Sequence, residues 1–211
     1  MNLLLTGFEP FGGQKINSSE RAAHALSGVD LPGITWHVVI LPVDRERGPA
    51  ALQRALDEAL PDAVVCLGEA ARRAAISIER VAINLLDFRI PDNSGRQCMD
   101  EPIALDGPAA YFSTLPVRAM LDAARAAGAP AELSLSAGAF LCNQIFYTLM
   151  HTLSQRGARI PAGFVHIPQL PEQVAGAEAA TASMSLDTII RGLTAALSAL
   201  RAGRIQQEPD R

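Results

Sequence analysis

Short, continuously apolar runs alternate along this chain with stretches whose apolar residues return every third or fourth position. The first kind suits strands covered on both faces, and the second suits amphipathic helices. Asn2 to Thr6 reads as a short buried strand ended by Gly7. Gly12-Gly13 closes a loop, and Asn17-Ser18-Ser19-Glu20 offers the cap of a helix running to about Ser27. Thr35 to Leu41 alternates and carries β-branched residues, which predicts a strand. Arg45 to Leu60 sets Leu52, Ala55, Leu56 and Leu60 on one helical face. Ala63 to Leu67 (Ala-Val-Val-Cys-Leu) is apolar throughout and predicts a central strand.

Ala75 to Leu85 alternates loosely, as an extended or hairpin segment would. Residues 87 to 108 form the longest irregular region, punctuated by Pro91, Asn93, Gly95, Pro102, Gly107 and Pro108. A loop of that length in a compact domain often serves function or association. A helix from about Val117 to Ala127 follows, stopped by Gly128, then a strand from Ala131 to Ser136. Phe140 to Gln155 reads as a helix, Gly163 to Ile167 as a strand stopped at Pro168, and Ser185 to Ala202 as the last helix. The polar tail from about Gly203 is expected to fray. Strands that alternate with helices predict a single α/β domain over residues 1 to 211, with a largely parallel sheet and helices on both faces.

Composition adds limits to this picture. The chain has 211 residues, 49% of them hydrophobic and 19% charged, and a formal net charge of −4. That balance fits a folded soluble chain and argues against nucleic acid as the main partner. Of the 18 basic residues only Lys15 is a lysine, and the arginines are scattered rather than clustered. Met1 to Thr6 has no basic n-region, and no stretch of 18 uninterrupted apolar residues occurs. Neither a signal peptide nor a membrane span is expected. Cys66, Cys98 and Cys142 are odd in number and lack CxxC spacing, so a free thiol in a reducing compartment is expected, without a cysteine zinc site.

Chemistry concentrates at Ser136-Ala-Gly-Ala-Phe-Leu-Cys142-Asn-Gln, where a strand, a glycine turn and a helix start meet. A thiol there feels the positive end of the helix dipole, which favours thiolate, and free N–H groups of the turn can face an oxyanion. The alternative is a small buried core cysteine. Cys66 lies mid-strand and reads as inert core, and Cys98 reads as exposed in the polar loop. A nucleophilic thiol needs a base. His151 falls nine residues after Cys142, on the opposite helical face and roughly 13 Å along the axis. His24 and His37 read as packing or surface residues. His166 ends a strand, where the crevice of an α/β sheet lies, and is the best placed base. Glu79 and Glu69 both qualify as the carboxylate orienting the imidazole, and local sequence does not separate them. Gly7-Phe8-Glu9-Pro10-Phe11-Gly12-Gly13 lacks the spacing of a phosphate loop. Phe8 and Phe11 can instead wall an apolar pocket.

Six segments stand in order: Thr6-Gly-Phe-Glu-Pro-Phe-Gly-Gly13, Glu79-Arg-Val-Ala-Ile-Asn84, Arg89-Ile-Pro-Asp-Asn93, Gly107-Pro-Ala-Ala-Tyr-Phe-Ser-Thr-Leu-Pro116, Ala137-Gly-Ala-Phe-Leu-Cys-Asn143 and Gly163-Phe-Val-His-Ile-Pro-Gln-Leu-Pro-Glu-Gln173. Together they resemble the pyroglutamyl peptidase I family over nearly the whole chain. The resemblance implies a cytoplasmic cysteine peptidase, commonly a tetramer, with a three-layer α/β/α fold and a twisted mixed sheet. It implies removal of N-terminal pyroglutamate from peptides without metal or organic cofactor. It maps a triad onto Cys142, His166 and Glu79, and a pocket wall onto Phe8 and Phe11. Gly68-Glu-Ala-Ala-Arg-Arg73 departs from the family's Gly-Gln-Ala-Gly-Gly-Arg, so Glu69 stands where a pocket glutamine is usual. A carboxylate accepts from a lactam N–H but cannot donate to its carbonyl. Arg72 and Arg73 are available to balance its charge. Ile78, Leu135-Ser136 and Ser18 replace the usual Pro, Asn-Thr and Pro. Two other readings follow from these departures: a related thiol amidohydrolase with shifted preference, and a non-catalytic ligand-binding relative.

Overall fold

The computed structural model describes residues 1–205. Its main sheet has six strands in the order β2-β1-β3-β8-β4-β7. These are β1 (Asn2–Phe8), β2 (Thr35–Leu41), β3 (Ala63–Glu69), β4 (Ile76–Glu79), β7 (Ala131–Ser134) and β8 (Ala162–Ile167). All neighbours pair in parallel except β4 and β8, which run antiparallel with Ser77 opposite His166 and Ile78 opposite Val165. The α/β class and the mixed, mostly parallel sheet agree with the sequence pattern. A separate two-stranded ribbon joins β5 (Val81–Ile83) to β6 (Ala110–Phe112) in antiparallel register.

Helices α1 (Ser18–Ser27), α2 (Arg47–Ala59), α3 (Val117–Ala126), α4 (Leu141–Gln155), the short α5 (Pro171–Val174) and α6 (Leu186–Ile205) complete the chain. Side chains alternate across a strand, so each central strand feeds two cores. Leu3, Leu5, Val65, Leu67, Ile78 and Val165 face one way and pack with α1, α3 and α6. Leu4, Val64, Cys66 and Phe164 face the other way and pack with α2 and α4. This is the expected arrangement with helices on both faces. The continuous apolar run 63–67 forms a strand because both of its faces are covered, and every residue in it is buried. Asn17 caps α1, its Oδ1 accepting from the Ser19 N–H at 2.9 Å. Among the described residues no helix is long and apolar enough to cross a membrane.

The structure corrects several boundaries. Leu60 does not join the apolar face of α2: it takes a left-handed φ of 41° after the last turn and is 76% exposed. Segment 75–85 divides at Arg80 into β4, which enters the main sheet, and β5, which leaves it for β6. β7 stops at Ser134 rather than Ser136, and α6 continues past Ala202 to Ile205. The remainder of the polar tail lies outside the described residues. Cys98 is fully buried, not exposed in a polar loop. Segment 87–98 curls on itself, with the Phe88 N–H donating to the Cys98 carbonyl at 2.8 Å, and turns Phe88 and Cys98 into the second core. Asp92 organises the bend by accepting from the Ser94, Arg96 and Arg45 N–H groups.

Candidate active site

The chain leaves β7 at Ser134 and reaches α4 at Leu141 through a turn that needs a glycine, because Gly138 has φ +78°. Cys142 is then the second residue of α4. No side chain caps that helix start, so its first N–H groups remain for an oxygen outside the helix. The next residue, Asn143, is fully buried and fastens the helix start to the end of β5 and to Leu85 just beyond it. Its Nδ2 donates to the Ile83 and Leu85 carbonyls at 2.9 and 3.0 Å, and its Oδ1 accepts from the Ile83 N–H at 3.0 Å. Phe140, at the helix cap, stacks edge-on against Phe88 at 4.7 Å between ring centroids. The position of Cys142 is therefore set from both sides of the turn.

Strand alternation brings the other groups to the same face. Val165 and Ile167 point into the first core, so His166 points toward α4. Ile76 and Ile78 likewise face the first core, which sends Glu79 to the side of His166. The antiparallel register of β4 and β8 makes these two diagonal neighbours. His166 Nδ1 lies 2.8 Å from Glu79 Oε1, with Glu79 fully buried and His166 nearly so. Arg73 Nη1 donates to the same carboxylate oxygen at 2.7 Å, and its Nη2 donates to the Ser136 carbonyl at 2.9 Å. One guanidinium thus ties the carboxylate to the turn that carries Cys142.

Two adjoining hollows meet at Cys142. The first is a narrow apolar recess walled by Phe8, Phe11, Phe140, Val43, Leu141, Asn17, Glu69 and Cys142. The second is an open cavity of about 270 Å³ that includes Cys142, His166, Arg73, Glu69, Arg89, Ile90, Phe11 and Phe140 in its walls. Gly68 leaves the room in which the thiol sits. A Cβ there would fall 2.6 Å from Phe164 Cζ and 2.8 Å from Cys142 Sγ, closer than such atoms approach. Gly68→Ala is expected to cost about 1–3 kcal/mol of stability through overpacking and to displace the thiol. Thermal unfolding together with the rate of Cys142 alkylation checks this, and a variant with both unchanged would contradict it.

Burial dominates the electrostatics. It pushes the Cys142 thiol up to about 12, with Glu79 adding to the rise and Arg73 opposing it. Cys142 is half-buried and lines both hollows. Burial thus works against the thiolate that the start of α4 would favour. Burial also lowers His166, against the opposing pull of Glu79. Glu79 is raised by its own burial, but its contacts with His166 and Arg73 prevail and hold it below the usual carboxylate range. An ionised Glu79 can only accept, so the 2.8 Å contact requires the proton on His166 Nδ1. The Nε2 lone pair is left free to take a proton.

Five of the predicted site residues, Cys142, His166, Phe8, Phe11 and Glu69, line these hollows, and Glu79 stands directly behind His166. Glu69 is not balanced by Arg72 or Arg73. Arg73 is committed to Glu79, and Glu69 instead accepts amide donors: the Ser18 N–H at 2.8 Å, Gln173 Nε2 at 2.8 Å and Gln169 Nε2 at 3.3 Å. Three contributors escaped sequence reasoning. Phe140 was seen only as a helix boundary. Asn143 signals itself only as a polar residue on the buried face of an apolar helix. Arg73 could be named only as a charge partner.

The sequence profile described as pyroglutamyl peptidase matches residues 1–202. The chain is 50% identical over 202 residues to a pyrrolidone-carboxylate peptidase of Gloeobacter violaceus, covering 96% of this chain and 98% of that protein. It is 45% identical over 207 residues to one of Bacillus licheniformis, covering 97% and 95%. Among solved structures, the pyroglutamyl peptidase I of Bacillus amyloliquefaciens shares 40% identity and a TM-score of 0.90, covering 94% of each chain. A mutant pyrrolidone carboxyl peptidase of Pyrococcus furiosus shares 39% identity and a TM-score of 0.92, covering 96% of this chain and 99% of that one.

Proposed function

The chain belongs to the pyroglutamyl peptidase family, and from that premise we propose that Cys142, His166 and Glu79 act as its catalytic triad through a thioester acyl-enzyme. Members of this family remove an N-terminal pyroglutamyl residue from peptides, and this chain is an enzyme of that kind. The observation that carries the mechanism is the buried His166–Glu79 contact beside the half-exposed thiol of Cys142.

Pyroglutamate presents a flat, neutral lactam ring without a free amine. The recess between Phe8, Phe11 and Phe140 suits it, because an apolar slot accepts the ring without the cost of burying an ammonium. Cys142 Sγ attacks the scissile carbonyl as its proton passes to His166 Nε2. Glu79 then faces an imidazolium and stabilises it at 2.8 Å. The uncapped start of α4 supplies N–H donors for the oxyanion. His166 returns the proton to the peptide nitrogen, the C–N bond breaks, and the amine leaves with a thioester behind. Water, deprotonated by His166, hydrolyses that thioester and restores the thiol. Glu69 lies at the junction of the hollows and offers the lactam N–H an acceptor. Substrate enters and leaves without metal or organic cofactor in this scheme.

Arylamide release is the direct test. The L-pyroglutamyl arylamide is expected to be cleaved at least ~100-fold faster than the prolyl or alanyl arylamides, because neither supplies a neutral lactam. The presence of a carboxylate at position 69 favours one second reading, a thiol amidohydrolase that tolerates a protonated ring amine. Faster cleavage of the prolyl arylamide would select that reading and reject the first.

A further inference from the structure

We propose that Asn143 is a positioning residue for the reaction: its buried amide holds the start of α4 where the Cys142 proton can pass to His166. This deepens the proposed function and rests on the roles given there to Cys142, His166 and Glu79.

Among the described residues β5 has one strand neighbour, β6. An antiparallel strand sends the N–H and C=O of alternate residues to opposite sides. Arg80 and Asn84 turn toward the partner strand: the Arg80 carbonyl accepts the Ser113 N–H and the Asn84 N–H donates to the Ala109 carbonyl, each at 2.9 Å. Ile83 therefore turns its own pair to the other side, and there it meets Asn143. Asn143 Oδ1 accepts the Ile83 N–H at 3.0 Å, and Nδ2 donates to the Ile83 carbonyl at 2.9 Å. The second hydrogen of Nδ2 goes to the Leu85 carbonyl at 3.0 Å. One side chain thus does for β5 what a neighbouring strand would do. It is fully buried, so water does not compete for these bonds.

The segment that Asn143 grips is the continuation of the strand that carries Glu79. Ile83 stands four residues after Glu79, and Asn143 directly follows Cys142. A short circuit of covalent and hydrogen bonds therefore runs from Cys142 through Asn143, Ile83 and Glu79 to His166. Arg73 makes a link before the thiol, from Glu79 to the Ser136 carbonyl, and Asn143 makes the link after it. Most of what α4 buries is apolar, including Leu141, Ile145, Phe146, Leu149 and Leu153. Apolar packing is non-directional and resists separation of helix from sheet more than sliding. Hydrogen bonds of fixed length and direction set the register. A slide of about 1 Å is enough to spoil a proton transfer that needs hydrogen-bond reach.

Three variants separate position from folding. Asn143→Asp keeps the acceptor for the Ile83 N–H but sets an oxygen against the Ile83 and Leu85 carbonyls. Asn143→Gln keeps the amide and lengthens the tie by one methylene. Leu197→Ala, in α6 and fully buried in the first core, lowers stability without touching the tie. Each is assayed with an L-pyroglutamyl arylamide, and rates are divided by the folded fraction read from thermal unfolding. Asn143→Asp is expected to lose about 10²-fold in kcat and Asn143→Gln about tenfold. KM should stay within about threefold in both, because Phe8 and Phe11 reach the recess from β1 and the loop after it. Alkylation of Cys142 by iodoacetamide at neutral pH needs the same proton transfer but not the recess, and should slow in parallel. Leu197→Ala is expected to keep both rates within about threefold while its melting temperature falls. An Asn143→Asp enzyme with kcat and alkylation near wild type overturns the proposal. So does a loss carried by KM, or one that Leu197→Ala reproduces. Failure of both Asn143 variants to unfold cooperatively overturns it too, by making the residue a requirement of the fold. If the wild type does not cleave the pyroglutamyl arylamide, the proposed function fails and this inference with it. If it does and the Asn143 variants match it, only this inference fails.

Discussion

Replacing Cys142 by serine is expected to lower kcat for an L-pyroglutamyl arylamide by on the order of 10⁴-fold while leaving KM within a few-fold. The geometry around the residue is retained, because a hydroxyl fits the space kept open by Gly68. Chemistry is what changes. A thiol surrenders its proton to an imidazole far more readily than an alcohol does, and this site gives little further help, since burial has already pushed the sulfur up to about 12. A nucleophile that depends on its base, as Cys142 does in the proposed mechanism, loses most when its own acidity falls. Mass analysis of acid-quenched wild-type enzyme should find a pyroglutamyl group on the Cys142 peptide and none on that of the variant. Activity within tenfold of wild type would remove Cys142 from the nucleophile's role.

The second large effect belongs to Glu79. Glu79→Gln is expected to cut the plateau kcat/KM by about 10²–10⁴-fold, in the range seen when an imidazole loses its orienting carboxylate. An amide can donate to Nδ1 as well as accept from it, so the tautomer with a free Nε2 is no longer enforced. The pH profile supplies an independent sign. Under the proposed mechanism activity requires neutral His166 and ionised Glu79, and both groups are held below their ordinary values. Activity is therefore expected to be retained through neutral pH and lost as pH falls through the lowered His166 value. Burial sets that value low, and Glu79 is the influence that raises it. With Glu79 neutralised the acidic limb should move to still lower pH as the plateau falls. An acidic limb that moves upward, or a plateau within threefold of wild type, would contradict the assignment. Since glutamine adds little volume, thermal unfolding distinguishes collapse of the site from loss of its charge.

How much of this was legible in the sequence depends on the range of the interaction involved. The two-faced burial of 63–67 and the alternating helices are local patterns, and they led directly to the α/β sheet. Capping at Asn17 and the glycine turn before Cys142 are local too, and each appears where its residues suggest. The choice between Glu69 and Glu79 was not legible from local pattern. Glu79 rather than Glu69 meets His166, through a diagonal contact between strands whose residues stand 87 positions apart, and no short window contains both. Cys98 misled because its neighbours are polar. Its burial comes from the fold of the whole loop around Asp92. Arg73 looked like surface charge because nothing nearby in sequence announces that Glu79 and the Ser136 carbonyl converge on it. The ribbon of β5 and β6 escaped for a similar reason, since strands of three residues each carry almost no periodic signal.

The strand order has a consequence for how the molecule comes into being. β3 and β4 are neighbours along the chain, yet β8 lies between them. When the ribosome has delivered everything before Ala162, β3 and β4 still present bare edges toward a gap in the middle of the sheet, and the histidine that would serve the thiol has not been made. Closing that gap means threading a late segment between two early ones, the kind of long-range pairing that folds slowly. On the proposed roles, the nascent chain carries Cys142 without the base His166 until nearly four-fifths of it exists. On those roles, the base arrives with the same strand that completes the sheet.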